Sequence, residues 1–242
     1  MKTFLIQAID GHVIHDFSFT LLEAIRYNNW YYNEKIYDYI FTETTDKPSI
    51  SLDSVVPIGS VEFVLDFLKK YYGIDNIKPI NIPPELNKLE YTKRRVINSS
   101  QLDEVPYLPS QEVFVKSCDK IKEFTQIIKY KDIPQNGNFI ISDVITIDSE
   151  WRAFVFEQKL VGLQNYLGDF TLFPDVSLIK DMISQYKSSP PAYTLDVGIN
   201  EKGTFIIEVH PFFSCGLYGF ADYKLLPRMF ISTWKELISG KI

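Results

Sequence analysis

Apolar and polar positions along the chain form segments of two kinds, strand-like runs and helical stripes. Near the start, the run Thr3–Ile9 is mostly apolar and ends at an Asp-Gly pair, which predicts a strand. Val61–Tyr72 repeats apolar residues at helical spacing, with Ser60 before it as an N-cap and Gly73 after it as a stop. A proline-rich linker follows. The pattern therefore predicts a small α/β domain over residues 1–90.

Strand-like runs predominate after the linker, in a second predicted domain over residues 91–242. Glu112–Ser117 and Ser149–Phe156 are predicted strands, and Asn165–Asp169 is a predicted loop that contacts substrate. Apolar residues at helical spacing predict three further helices, which are Asp119–Ile128, Asp175–Tyr186 and Leu225–Ile238.

The segment Tyr193–Gly219 has the most specific pattern in the chain. It contains two β-rich runs on either side of Glu201-Lys202-Gly203. A three-residue hairpin loop ends in a left-handed residue, a conformation that glycine adopts without steric cost. We therefore expect a β-hairpin in which Asn200 faces Thr204.

That hairpin register places Asp196 opposite Glu208 and Thr194 opposite His210, on one face of the sheet. Carboxylates on opposed residues, with Cβ atoms about 4.5–5.5 Å apart, repel each other. One of them then holds a proton, as in a general-acid dyad, or a cation lies between them. Two acids that simply face solvent are a further alternative, which the apolar neighbours in the second run disfavour. Oxygen ligands of this kind suit magnesium.

Asp196, followed about a dozen positions later by Ile-Ile-Glu-Val-His-Pro, resembles the metal-binding hairpin of the ATP-grasp superfamily. In that family an acid on one strand and Glu-x-Asn on the next hold the magnesium ions of ATP. The resemblance, clearest over Tyr91–Tyr218, implies that Asp196, Glu208 and His210 bind metal. His210 stands where the family usually has Asn, and imidazole is a softer ligand than an amide oxygen.

Two cationic segments extend the resemblance. Glu112-Val-Phe-Val-Lys-Ser is similar to the family's Phe-Val-Lys-Pro strand, whose lysine contacts the α- and β-phosphates, and it implies this role for Lys116. The basic run Thr92–Ile97 lies where a first cation reaches the nucleotide. We expect Arg95 to serve there rather than Arg94, although spacing alone does not separate the two. Arginine's planar fork binds phosphate oxygens in pairs.

Two further strands are placed by the resemblance. By order along the chain, Ser142, Asp143 and Val144 lie at the family's adenine-binding hinge, which uses backbone groups. Glu150 and Arg152 share a strand face and resemble the family's Glu-x-Arg strand. There the arginine stabilises charge on an acyl-phosphate. The alternative for this acid and guanidinium is a surface ion pair of little energetic value.

The resemblance implies an α/β (α+β) fold, with an N-terminal α/β domain followed by an ATP-grasp module with antiparallel sheets. It is nearest to small phage and bacterial members of the family. The implied function is an ATP- and magnesium-dependent ligase that joins a carboxylate substrate to an amine acceptor, a peptide or protein, through an acyl-phosphate. A nucleotide- or partner-binding protein that has lost catalysis is the main alternative, and metal-dependent hydrolysis is a third. The matching test is Asp196→Asn, expected to weaken magnesium-dependent nucleotide binding while leaving the fold intact.

Composition narrows these alternatives. The net charge of −6 argues against bulk-charge binding of nucleic acid, and 45% hydrophobic residues are enough for a sizeable core. Two cysteines, Cys118 and Cys215, are too few for a disulfide framework. Cys215 paired with His210 as a nucleophile is a minor alternative. With no signal peptide and no long apolar segment, we expect a cytoplasmic protein without membrane contact.

Overall fold

The computed structural model describes residues 1–99, 107–119, 124–134 and 136–240. Among them are the strands β1 Lys2–Gln7, β2 Tyr37–Thr42, β3 Val55–Ile58, β4 Val96–Asn98, β5 Glu112–Ser117, β6 Thr125–Lys129, β7 Phe139–Asp143, β8 Ser149–Phe156, β9 Lys159–Gly168, β10 Ala192–Asn200 and β11 Gly203–Pro211. The helices are α1 Asp16–Tyr31, α2 Val61–Tyr72, α3 Leu89–Thr92, α4 Val176–Gln185 and α5 Leu226–Ile238.

The N-terminal part is a small parallel sheet in the order β2-β1-β3, in which α1 connects β1 to β2 and α2 follows β3. The predicted helix over residues 61–72 is confirmed at both ends. The Ser60 hydroxyl accepts a hydrogen bond from the Phe63 amide at 3.1 Å, and Gly73 ends the helix at φ 68°. These local caps explain why the sequence alone located this helix.

Two antiparallel four-stranded sheets follow, in the orders β11-β10-β8-β9 and β4-β7-β5-β6. They confirm the predicted mixed fold class with antiparallel sheets, and β5 and β8 have their predicted bounds.

Two local predictions in this region are wrong. The helix expected over residues 119–128 is instead strand β6 from Thr125 onward, while residues 120–123 lie outside the described residues. All five residues of β6 pair with β5, and strand pairing outweighs the helical spacing. The loop expected at Asn165–Asp169 is mostly the end of β9, because residues up to Gly168 pair with β8.

Helix α5 returns the chain to the N-terminal sheet. Its Trp234 ring contacts Phe67 and Tyr72 of α2 at centroid distances of 6.0 and 5.5 Å. Buried residues of β8, including Phe154, join the same core, and so does Phe212, which directly follows β11. The division at residue 90 stays a prediction, since one buried cluster includes residues from both sides of it.

The β10–β11 hairpin forms, but its register differs from the expectation near the turn. Asn200 pairs with Gly203, so the loop has two residues rather than three. A β-bulge lies between the Val197–Ile206 and Asp196–Glu208 pairs and leaves Ile207 as the extra residue. The two differences cancel beyond the bulge.

The predicted pairs Asp196–Glu208 and Thr194–His210 are therefore confirmed. None of the helices that the structure describes has both the length and the apolar character needed to cross a bilayer.

Candidate functional site

The acid cluster of the hairpin is the centre of the site. Asp196 of β10 and Glu208 and His210 of β11 each offer one ligand atom, and these atoms lie within 4.8 Å of one another. His210 Nε2 is 2.9 Å from Glu208 Oε1 and 4.0 Å from Asp196 Oδ2. The structure thus brings together the three residues that the sequence proposed as metal ligands.

Asp196 is paired with Arg152 from the neighbouring strand β8. Arg152 Nε and Nη2 donate to Asp196 Oδ1 and Oδ2 at 2.8 and 2.7 Å. Both residues are buried, with 8% and 1% of their surface exposed. Burial alone lowers the pKa of Arg152, but the hydrogen bonds and charge of Asp196 outweigh it and raise the pKa above its usual value. Arg152 is therefore a permanent cation beside the acid cluster.

Glu208 has two side-chain partners. Lys116 Nζ contacts Glu208 Oε2, and His210 contacts the other carboxylate oxygen. Burial raises the pKa of Glu208, but the hydrogen bond and charge of His210, with Lys116, outweigh it and lower the pKa to about 2. Glu208 is thus an anion at neutral pH, which favours a cation between the acids over a shared proton.

A cavity of about 260 Å³ opens next to Glu208, between the two antiparallel sheets. The bulge at Ile207 matters here, because adjacent strand residues normally face opposite sides, yet Ile207 and Glu208 both line this cavity. Most of its wall surface is apolar, although polar and charged side chains also line it. The lining residues are Asn81, Ile82, Arg94, Phe114, Lys116, Thr125, Ile127, Ile140, Ser142, Asp143, Val144, Ile145, Ile147, Ile207 and Glu208.

The predicted hinge residues Ser142, Asp143 and Val144 all line this cavity with Lys116. They lie at the end of β7 and just beyond it. An apolar slot bordered by the end of a strand suits a flat base that is recognised through backbone groups. The sequence placed these residues only by their order along the chain, and the structure brings them to the cavity.

Of the two neighbouring arginines, the structure brings Arg94 to the cavity. The guanidinium of Arg95 instead pairs with Asp143, with Nη2 2.9 Å from Oδ1, and lies 4.4 Å from the centre of the Tyr107 ring. Arg94 Nη1 donates to the Ile206 carbonyl at 3.0 Å. Burial lowers the pKa of Arg94 to about 10. The spacing of residues in the sequence did not show which of the two arginines reaches the cavity.

Glu150, predicted to share a strand face with Arg152, contacts a tyrosine. Its Oε2 accepts a hydrogen bond from the hydroxyl of Tyr166 at 2.6 Å. The Tyr166 ring stacks on Tyr218, with centroids 5.2 Å apart, and the Arg152 guanidinium lies 5.5 and 5.2 Å from the centres of these two rings. This aromatic pair was not predicted. Both rings pack against the Arg152 guanidinium.

The loop that carries Tyr218 is fixed from two directions. Arg152 Nη1 donates to the Gly216 carbonyl at 3.2 Å. The amides of Leu217 and Tyr218 donate to Asp16 Oδ2, at the start of α1, at 2.7 and 3.3 Å. Asp16 is a site-supporting residue that spacing could not reveal, because it lies about two hundred positions from the loop.

The cysteine alternative has little support. Cys215 is buried, and burial raises the pKa of its thiol to about 12. A thiol that stays protonated at neutral pH is a poor nucleophile. The positive charge of Arg152 lowers the pKa of this thiol, but by less than burial raises it.

The donor set fits a magnesium ion and a nucleotide. Two carboxylates supply hard oxygen ligands, and each oxygen keeps a lone pair besides the one that accepts a hydrogen bond. His210 is a less usual ligand for magnesium. The cavity volume is at the lower end of ligand sites, which suits the nucleoside half of ATP, with Lys116 and Arg94 left to meet phosphates.

Comparison with known proteins agrees with this geometry. Residues 91–226 match the model of the ATP-grasp domain, R2K clade family 2. No curated protein matches the sequence.

Solved structures show the same fold. The ATP-grasp ligase PsnB with a minimal precursor is 12% identical, with 96% of this chain and 99% of that chain covered and a TM-score of 0.55. PsnB with a phosphomimetic precursor variant, Mg and ADP gives 12% identity, coverages of 96% and 97%, and a TM-score of 0.53. The RimK domain protein ATP-grasp from Sphaerobacter thermophilus is 12% identical, with 99% of this chain and 98% of that chain covered and a TM-score of 0.53. At such low identity these likenesses establish the fold alone.

Proposed function

The chain belongs to the ATP-grasp domain family designated R2K clade family 2, and from this membership we propose that it is an ATP- and magnesium-dependent carboxylate–amine ligase. One observation carries the proposal. Asp196 is paired with Glu208, and Glu208 lines a base-sized cavity together with Lys116. An acid pair, a phosphate-binding cation and an apolar slot are the parts that binding of a magnesium nucleotide requires.

The cavity residues divide the nucleotide between them. The base lies in the apolar slot and meets backbone groups of Ser142, Asp143 and Val144. Lys116 and Arg94 neutralise the phosphates. Arg94 takes the role predicted for Arg95, because Arg94 lines the cavity whereas Arg95 is held by Asp143.

Asp196, Glu208 and His210 would hold the metal. A magnesium ion bound there supplies positive charge to the phosphate oxygens. The hairpin contributes by fixing the acids before any ligand arrives, since Arg152, Lys116 and His210 already hold their carboxylates. Preorganised ligands need little rearrangement on binding.

In the proposed reaction, a carboxylate oxygen of the substrate attacks the γ-phosphorus of ATP. The bond from that phosphorus to the bridging oxygen breaks, and ADP and an acyl-phosphate form. The amine nitrogen then attacks the acyl carbon and expels inorganic phosphate, with release of a proton. Arg152, buried and cationic, stabilises the negative charge on the acyl-phosphate and its tetrahedral adduct. Glu150 acts through Tyr166, whose ring covers Arg152.

A peptide or protein is the proposed substrate class. PsnB, which has the same fold, is described in complex with a minimal precursor. The Tyr166–Tyr218 pair supports the same class, because Tyr218 is exposed beside Arg152 and offers an aromatic surface to an extended chain.

Thermal unfolding with ATP, ADP and GTP, each with magnesium or with EDTA, tests nucleotide binding. A ligand that binds only the folded chain adds about 2.7 kcal/mol at a hundred times its Kd. We expect a magnesium-dependent rise with ATP and ADP. No shift with any nucleotide at millimolar concentration would contradict the proposal.

A second experiment separates the ligase from a protein that has lost catalysis, which His210 in the usual Asn position favours. Turnover is measured as ADP and phosphate release with pools of carboxylate peptides and amines. A ligase releases ADP continuously only when both substrates are present, because the acyl-phosphate formed from the carboxylate is consumed when the amine attacks it. Binding of ATP without any ADP release supports the catalytically inactive alternative, and metal binding without nucleotide binding supports hydrolysis by the same acids.

A further inference from the structure

Asn81 is a cavity residue that neither the family match nor the predicted site includes. It lies in the linker before residue 91, where the matched domain begins. Only 3% of its surface is exposed, and it lines the cavity beside Ile82. Its side-chain oxygen is buried and has no hydrogen-bond partner in the part of the chain that the structure describes.

Asn81 is held rigidly by its backbone. Its carbonyl accepts a hydrogen bond from the Val209 amide at 2.7 Å, which forms an isolated antiparallel bridge to β11. Its φ of 57° lies in the left-handed region, which asparagine tolerates better than most residues. The linker is thus attached to the strand that carries Glu208, and the backbone of Asn81 is fixed in position.

The amide has one unused end in either orientation. As oriented, Nδ2 lies 3.7 Å from Cys118 Sγ and Oδ1 is unpartnered. A 180° rotation would exchange the two ends and leave the NH₂ group unpartnered instead. Buried polar groups nearly always have a partner, so an unpaired one in a ligand cavity indicates a group completed by the ligand.

The position of Asn81 points to the middle of a nucleotide. Its contact Cys118 is close in sequence to Lys116, and its contact Val209 directly follows Glu208; Lys116 and Glu208 are two of the charged residues that line the cavity. Its neighbour Ile82 belongs to the apolar wall. Asn81 therefore stands between the parts that would receive the phosphates and the base.

We propose that Asn81 hydrogen-bonds a ribose hydroxyl of the bound nucleotide and so makes the linker part of the nucleotide site. This rests on the proposed function. A hydroxyl both donates and accepts, so it satisfies whichever end of the amide faces it. Asn81 is then a specificity residue for ribonucleotides, supplied from outside the matched domain.

The test measures the Kd of ATP, 2′-deoxy-ATP and 3′-deoxy-ATP with magnesium, for the full chain and for Asn81→Gly. Glycine keeps the left-handed backbone while removing the amide. Asn33→Gly is the matched control, because Asn33 also has a positive φ, 51°, and does not line the cavity. We expect the unaltered chain to bind one deoxy analogue roughly tenfold more weakly than ATP.

Asn81→Gly should bind ATP about tenfold more weakly and no longer discriminate against that analogue, whereas Asn33→Gly should behave as the unaltered chain. Full discrimination retained in Asn81→Gly would overturn the inference. If that variant does not fold, the measurements on the unaltered chain still test the inference, because equal affinity of that chain for all three nucleotides would also overturn the inference. A chain that binds no nucleotide at all contradicts the proposed function itself, so the two failures are distinct.

Discussion

Arg152 and Asp196 form a buried pair in which two guanidinium nitrogens meet two carboxylate oxygens at 2.8 and 2.7 Å. The pair links neighbouring strands. It also brings into contact two residues for which the sequence predicted separate roles, a charge-stabilising arginine and a metal-binding acid. Because each partner satisfies the other, neither can be altered without leaving a buried charge unpaired. This changes how the site should be tested.

The first prediction concerns Asp196→Asn. From the sequence alone, this change was expected to leave the fold intact. The buried pair instead predicts a loss of about 3–5 kcal/mol in the free energy of unfolding, since Arg152 loses its counter-charge. Urea unfolding measures it. The double variant with Arg152→Gln should lose less than the sum of the two single variants. An unchanged unfolding midpoint for Asp196→Asn would contradict the importance of the pair.

Glu208→Gln is the cleaner test of the metal site, because Glu208 is only half-buried and lines the cavity. Loss of its charge should weaken nucleotide binding in magnesium roughly 10- to 100-fold and leave binding in EDTA nearly unchanged. Calorimetric titration with ADP measures both affinities. Glu157→Gln, at a surface acid paired with Arg228, is the control. Equal losses with magnesium and with EDTA would show that Glu208 does not act through a metal.

Arg94 and Arg95 should respond differently to the same substitution. Arg94→Met is expected to weaken ATP binding roughly 10- to 100-fold, because a charged hydrogen-bonding group leaves the cavity wall. Arg95→Met should change it less than about threefold, since Arg95 is an exposed partner of Asp143. Fluorescence titration with a nucleotide analogue distinguishes them. The reverse order of effects would restore Arg95 as the phosphate-binding residue.

The two cysteines should differ in reactivity. Cys215 is buried and the pKa of its thiol is raised to about 12, whereas Cys118 is partly exposed. A thiol reagent at neutral pH should modify Cys118 first, and Cys215 only after unfolding in urea. Mass spectrometry of the digested protein locates the label. Rapid labelling of Cys215 in the folded chain would revive the nucleophile alternative.

Asp16 should control the loop that carries Tyr218. In Asp16→Ala, the amides of Leu217 and Tyr218 lose their shared acceptor, and their hydrogen exchange should become roughly tenfold faster. Glu23→Ala, an exposed position on the same helix, is the control. Exchange rates at these amides that match the unaltered chain would show that other contacts fix the loop.

Much of the fold was readable from local sequence. The Ser60 cap and the Gly73 stop act within one helical turn, so helix α2 was predicted at both ends. The strands β5 and β8 were likewise predicted with their bounds, because their apolar runs end at polar residues. Where the prediction failed, at β6, pairing with a neighbouring strand decided the structure, and a spacing rule does not include that partner.

The hairpin shows how a correct pairing can follow from an incorrect turn. The sequence predicted a three-residue loop and no bulge, whereas the structure has a two-residue loop and a bulge at Ile207. The two changes cancel at Asp196 and Glu208. The bulge also has a consequence for the site, because it lets the neighbouring residues Ile207 and Glu208 line the same cavity.

By itself, the sequence determined the kinds of group at the site, namely acids, a lysine in an apolar strand and a basic run, because residue chemistry and strand alternation are local properties. Only the tertiary structure decided which groups meet. It paired Asp196 with Arg152, chose Arg94 for the cavity, and brought Asn81 and Asp16 to the site from distant parts of the chain. These contacts depend on how sheets and helices pack. The spacing of residues along the chain does not show which distant residues the packing brings together.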